Sequence, residues 1–394
     1  MQNVVNALMV KIYVLVILCI IFNVTSPAFI SHAEQHEIEA SSLLNRKAIH
    51  FYKVGDYSKA LSYAQQALII VQKKSGRKAT IDRIDILNNT ALIQEAIGNY
   101  KDAELALNKV LDAIEKTFGA NSVKAATSLS SLGRIYKFQG RYEEAKINYY
   151  KSLDIIANAI GSNSIVSAPT LIRLGSLYID LGNYDEAEQL LVKGLNIYIK
   201  YYGESHILVA DIFGNIGFLY EKQKKYNLSE DYYLRAYKIK KDTLPEDHPS
   251  FVESLNNIAS IKRLQGNYRK SIELNKRAIS ILKSNFGDNH PDIATCLNDI
   301  ALVYIDEKRY DDAISYLSES LVVIETSYGV NHPYVANVLT NLAKTYFQLT
   351  KYEESKKLYK RALEICKKSY GRDHKETKYI YQKLDELQIY IDKR

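Results

Sequence analysis

Residues 255–291 read LNNIASIKRLQGNYRKSIELNKRAISILKSNFGDNHP, and this stretch decides the fold. Leu255, Ile258, Ala259 and Lys262 fall at helical spacing, the turn Gln265-Gly266-Asn267-Tyr268 follows, and a second helical run extends from Arg269 through Leu282. Gly287 is placed to end that run, because glycine adopts the left-handed conformation of a helix cap at no steric cost. Three residues on, His290-Pro291 suits the first turn of another helix. The unit is two helices and two turns.

Outward from this stretch the pattern repeats every 42 residues. Tyrosine stands at 100, 142, 184, 226, 268, 310 and 352. Nine residues before each comes a small residue (Ala91, Gly133, Gly175, Gly217, Ala259, Ala301, Ala343), and three after comes another (Ala103, Ala145, Ala187, Ser229, Ser271, Ala313, Ser355). Helix axes approach closely only where no bulky side chain intervenes, so the small positions predict a packed hairpin. Glycines at 119, 161, 203, 287, 329 and 371 end the second helices; position 245 is Pro, so that cap must close differently. His206, His248, His290, His332 and His374 follow in register. An earlier unit, shifted by one residue, carries Ala48, Tyr57, Ala60 and Ala67, which makes eight hairpins. The register break lies within 68–86, where Lys73, Lys74, Arg77 and Lys78 read as a basic surface loop. At the far end Lys375–Asp392 reads as a lone helix with Asp385 at the small position, within a capping segment spanning 372–394, as a finite solenoid requires.

The small, Tyr, small, Ala spacing resembles the tetratricopeptide repeat. The longer period with Gly-x-x-His-Pro, as in Gly287-Asp288-Asn289-His290-Pro291, resembles its kinesin light chain subtype. The resemblance covers about residues 41–393 and implies an all-α, right-handed superhelical solenoid over 34–394. It does not carry over the motor: no heptad segment precedes the repeats, and a signal peptide is incompatible with a cytosolic motor subunit.

Composition agrees with a folded helical chain: 394 residues, 47% hydrophobic and 25% charged, with 17 Gly and 6 Pro. At the amino terminus Lys11 precedes an apolar run from Ile12 to Phe22 and a polar stretch ending Ser31-His32-Ala33, which reads as a signal peptide over residues 1–33. An exported protein, periplasmic or secreted, is expected; the alternative is an anchor formed by residues 12–30, and only then is membrane contact expected. Removing 1–33 lowers the net charge from +7 to +6. Both signs alternate along the chain instead of clustering, so no nucleic acid is expected. Cys296 and Cys366, seventy residues apart, are expected as free, packed thiols.

Chemistry is not expected. The five histidines are separated by about one helix spacing, roughly 8–10 Å, whereas zinc ligands sit about 2 Å from the ion, so they cannot converge on a metal. They are read as closing the inter-repeat loops. Carboxylate pairs such as Glu143-Glu144, Asp185-Glu186 and Asp311-Asp312 recur with the repeat, and recurrence argues for favouring the positive end of each second helix rather than for catalysis. No phosphate-cradling loop or nucleophile elbow is found, and no cofactor is expected. Asn88 and Asn227 open Asn-x-Ser/Thr triplets, which matter only if the host glycosylates secreted proteins.

The resemblance implies that first helices line a concave groove, with residues three before, one after and four or five after the small position pointing into it. Asn45, Asn88, Asn256 and Asn298 then form one level, with Arg134, Lys137, Lys222, Arg263 and Lys344 at others, against Glu95, Asp180, Glu221 and Asp306. Asparagine amides donate and accept and suit an extended peptide backbone, and the cations suit carboxylates. The expected function is a non-catalytic adaptor that binds a protein or extended peptide; the alternative is a membrane-tethered component that organises an envelope complex.

Overall fold

The computed structural model describes residues 32–392, with side chains from residue 39 onward. The hydrophobic segment 12–22 and most of the expected signal peptide lie outside the described residues. Among the described residues there are seventeen α-helices and no strand, and no helix is long and apolar enough to cross a membrane.

The helices form eight hairpins and a final single helix. The first helix of each hairpin is α1 (His32–Lys53), α3 (Arg77–Ala96), α5 (Val123–Phe138), α7 (Ala168–Leu181), α9 (Ile207–Lys222), α11 (Phe251–Leu264), α13 (Pro291–Asp306) and α15 (Pro333–Gln348). Their partners are α2 (Tyr57–Gln72), α4 (Tyr100–Phe118), α6 (Tyr142–Ile160), α8 (Tyr184–Tyr202), α10 (Tyr226–Thr243), α12 (Tyr268–Phe286), α14 (Tyr310–Tyr328) and α16 (Tyr352–Ser369). The last helix, α17 (Lys375–Asp392), packs on α16 and ends the stack. Every second helix therefore opens on the repeating tyrosine. Most first helices also touch the first helix of the next hairpin, which makes them one continuous wall.

The small positions sit at the hairpin contacts. Ala48, Ala60, Ala145, Ala259 and Ala301 are fully buried. At Gly217 the ring of Tyr233 takes the space of a side chain: a Cβ there would lie 2.6 Å from Tyr233 Cδ1. Cys296 and Cys366 are both buried and free, as packed thiols should be.

Two details differ from the expectation. The residue that caps the second helix is not left-handed helical. Gly287 has φ 84° and ψ −179°, a region with positive φ and extended ψ that is essentially confined to glycine. Where Pro245 replaces that glycine, Leu244 instead leaves the helix in an extended conformation, its N–H donating to the Lys240 carbonyl. The basic loop is also shorter than expected: α2 runs to Gln72 and α3 starts at Arg77, so Arg77 and Lys78 belong to a helical first turn.

Four of the five loop histidines close the inter-repeat connections by two contacts, and His248 by one. In all five, Nδ1 accepts from the backbone N–H two residues on, at 3.1–3.3 Å; in all but His248, whose donor Ser250 precedes α11, this caps the following helix. In four, the ring stacks on the aromatic residue four positions earlier, as His332 does on Tyr328 with centroids 4.0 Å apart. His248 follows Leu244 and has no such stack.

The wall curves far enough for the array to meet itself. Hairpin turns near its start touch inter-repeat loops near its end: Tyr57 stacks on Tyr328 at 5.0 Å, Tyr100 on Tyr370 at 5.9 Å, and His332 Nε2 lies 2.9 Å from the carbonyl oxygen of Ala96.

Candidate functional site

The polar residues expected of a groove all lie on the first helices, but many are already engaged with one another. Asn45 Oδ1 accepts from Asn89 Nδ2 at 3.0 Å, and Asn298 Oδ1 accepts from Asn341 Nδ2 at 2.8 Å. Both donors lie on the next first helix, one place nearer the small residue than the asparagine they bond. Asn256 Oδ1 accepts from the Cys296 thiol at 3.3 Å. Asn88 has no such bond and lines a cavity of about 270 Å³ with Asn89, Glu95, Ser131 and Arg134.

Four of the five cations pair with carboxylates, mostly on a neighbouring repeat. Arg134 meets Glu95 at 2.7 Å, Lys137 meets Asp180 at 3.2 Å and donates to Ser176 Oγ at 2.6 Å, and Arg263 meets Asp306 at 2.6 Å. Burial lowers the Lys137 pKa, and the Asp180 carboxylate opposes that shift. Lys222 is half-exposed, 3.7 Å from Glu221 and over the Phe218 ring at 4.5 Å. Lys344 is exposed and lies over the Tyr379 ring at 5.1 Å, in a cavity of about 480 Å³ that also holds Tyr310, Phe347, Tyr359 and Lys383. Asn298 lines a smaller space of about 200 Å³ with Thr295, Tyr334 and Asn337.

A cavity of about 710 Å³ lies between α9, α10, α11 and the start of α13. Asn256 and Asn257 line it, with Phe218, Ile207 and Val252 as apolar wall. Its charges are Asp211, Glu221, Glu253, Asp292 and Asp299 against Lys240 alone. Lys240 is almost fully buried, and its ammonium spans Asp211 at 3.2 Å and Glu253 at 3.5 Å. Glu221 accepts from the Tyr233 hydroxyl at 3.2 Å. Enclosure pushes the Asp299 carboxyl up to about 6, with Arg263 and the Asn298 amide holding it back.

Of the residues expected in the groove, Asn88 and Arg134 share one cavity, whereas Asn256, Asn298 and Lys344 fall in three others. Asn45, Lys137, Lys222 and Arg263 line none of these four. The sequence reading did not single out Asn89, Asn341, Lys240 or Asp299. Three of them had a signal, since Asn89, Asp299 and Asn341 all stand two residues before a small position. Lys240 had none, because it comes from a second helix. Among the described residues no group of three or more His, Cys, Asp or Glu is arranged to hold a metal.

The sequence profile of the tetratricopeptide repeat matches residues 39–116, 82–158, 166–242, 251–321, 297–368 and 334–384. No curated protein matches the chain. Among solved structures, a Rap protein complexed with competence and sporulation factor aligns with a TM-score of 0.58 and 13% identity, over 84% of this chain and 99% of that one. The Rap conjugation gene regulator of the plasmid pLS20, in complex with a peptide, aligns at 0.57 and 13% over 86% and 99%. The nearly identical TPR-like repeats of a candidate kinesin light chain from Podosopora anserina align at 0.40 and 19% over 51% and 95%.

Proposed function

Because this chain belongs to the tetratricopeptide repeat family, we propose that it is a non-catalytic scaffold whose inner wall holds an extended segment of a protein partner. The observation that carries the reading is the 710 Å³ cavity, where amides, apolar wall and an excess of carboxylates converge. Extended peptides offer backbone groups to amides such as Asn256 and Asn257, and side chains to pockets between helices. Five carboxylates against one ammonium favour a lysine or arginine side chain in this pocket. The two Rap structures, each holding a peptide or factor, support using such an array in this way.

The test is affinity purification of the chain from its native host beside an Asn256→Ala/Asn298→Ala variant, with mass spectrometry of what stays bound. A partner lost from the variant supports the reading; equal recovery moves the interaction to the outer face or the ends. Export rests on residues 1–33, and sequencing the amino terminus of the purified chain tests it. A start near Ala33 supports release, whereas an intact leader in the membrane fraction favours the tethered assembly component.

A further inference from the structure

The meeting of the two ends of the array is repeated in three successive registers. The hairpin turn at Gly55 faces His290 and Pro291, the turn at Gly98 faces His332 and Pro333, and the turn at Gly140 faces His374. In each register the loop histidine already caps its helix through Nδ1, which leaves Cδ2 and Nε2 to meet the turn. His332 uses Nε2 on the Ala96 carbonyl, and this fixes its tautomer: Nδ1 accepts from Tyr334 N–H and Nε2–H donates.

An independent record of this seam stands in the sequence. All eight hairpin turns place one residue at positive φ. At the three seam turns it is glycine, and a side chain would clash or crowd: one on Gly140 would place Cβ 2.6 Å from His374 Cδ2, one on Gly98 would collide with the Pro333 ring, and one on Gly55 would press Pro291 Cδ at 3.0 Å. The other five turns are exposed. Gly182 and Gly266 have nothing within 4 Å, and the remaining three are Lys224, Lys308 and Thr350, at φ 59°, 61° and 60°. Left-handed backbone strains a residue with a side chain, yet the chain accepts it at three of the five turns that face solvent and nowhere along the seam.

We propose that this seam is a latch: the turns at Gly55, Gly98 and Gly140 lock onto the loops at His290, His332 and His374 and close the solenoid sideways. A partner segment then reaches the inner wall along the axis, or from the side only after the latch parts. The latch is a property of the free chain and stands whether or not the inner wall is the binding surface.

The test compares Gly98→Thr/Gly140→Thr with Gly182→Thr/Gly266→Thr in the full chain. Both pairs impose closely similar backbone strain, and only the first puts side chains into the seam. Small-angle X-ray scattering of the first pair is expected to show a larger maximum dimension and radius of gyration at unchanged helical circular dichroism. The second pair is expected to scatter like the parent. If the first pair loses helix content, the milder Gly98→Ala and Gly182→Ala pair makes the same comparison. Equal scattering from seam and control variants, whether both expand or neither does, overturns the latch.

Discussion

His332 Nε2 lies 2.9 Å from the carbonyl oxygen of Ala96, 236 residues earlier in the chain. A short bond over such a separation ties the solenoid's curvature to single side chains, because a change of a few degrees per repeat would pull these atoms apart.

The cap that His332 Nδ1 accepts from the Tyr334 N–H requires a neutral ring, whereas Nε2–H can still donate to Ala96 after protonation; loss of the cap and burial of the charged ring set a pH dependence. Burial holds His332 and His374 down to about 4, and also lowers His290 beside Asp292. The groups facing His332 are the Tyr328 and Tyr334 rings and the Ala96 carbonyl. An unfolded histidine titrates near 6.5, so between there and about 4 the unfolded chain binds more protons, and stability falls as pH falls through that window. The full effect for His332 is up to about 3 kcal/mol; half-exposed His374 contributes less. Urea denaturation at pH 7.0 and 5.0 should show the loss, and His332→Gln should reduce the difference.

Gly217→Ala should destabilise the chain although alanine is the better helix former. Overpacking against Tyr233 costs about 1–3 kcal/mol, and helix propensity returns about 1 kcal/mol. Adding Tyr233→Leu should restore most of the loss, since Ala301 with Leu317 is the same pair sixteen residues apart in another hairpin. Chemical denaturation of the single and double variants checks both signs.

Asp299→Asn keeps the shape of the 710 Å³ cavity and removes one of its carboxylates. A partner captured by the inner wall through a basic side chain should bind the variant about tenfold more weakly, or about 1.4 kcal/mol. Because the Asp299 carboxyl titrates at about 6, the parent should lose affinity between pH 7.5 and 5.5 while the variant loses less. Calorimetric titration at the two pH values separates these outcomes.

Chelator should leave the melting temperature unchanged. The loop histidines spend Nδ1 on backbone N–H groups, and each lies in a different repeat. A drop in melting temperature with EDTA, reversed by zinc, would contradict this account.

The repeat lattice was legible because it is local. Ala259, Tyr268 and Ser271 state their roles by spacing alone, since a hairpin's small contacts recur wherever its two helices must approach. The candidate groove was legible only in outline. Spacing places Asn256 on a first helix but is silent on whether its amide is spent, and Asn298 proves bonded to Asn341 because neighbouring first helices bring those two positions together. Lys240 escaped because a buried ammonium reaching between two carboxylates has no periodic signature.

By itself the sequence determined the hairpin, its number of copies and the register of turns, tyrosines and histidines, all of which follow from contacts within about one repeat. Only the tertiary structure decided which turns meet which loops. Closure depends on a small rotation summed over more than five repeats, and no single repeat encodes that sum. The glycines at 55, 98 and 140 look like any turn glycines until the curvature brings His290, His332 and His374 against them.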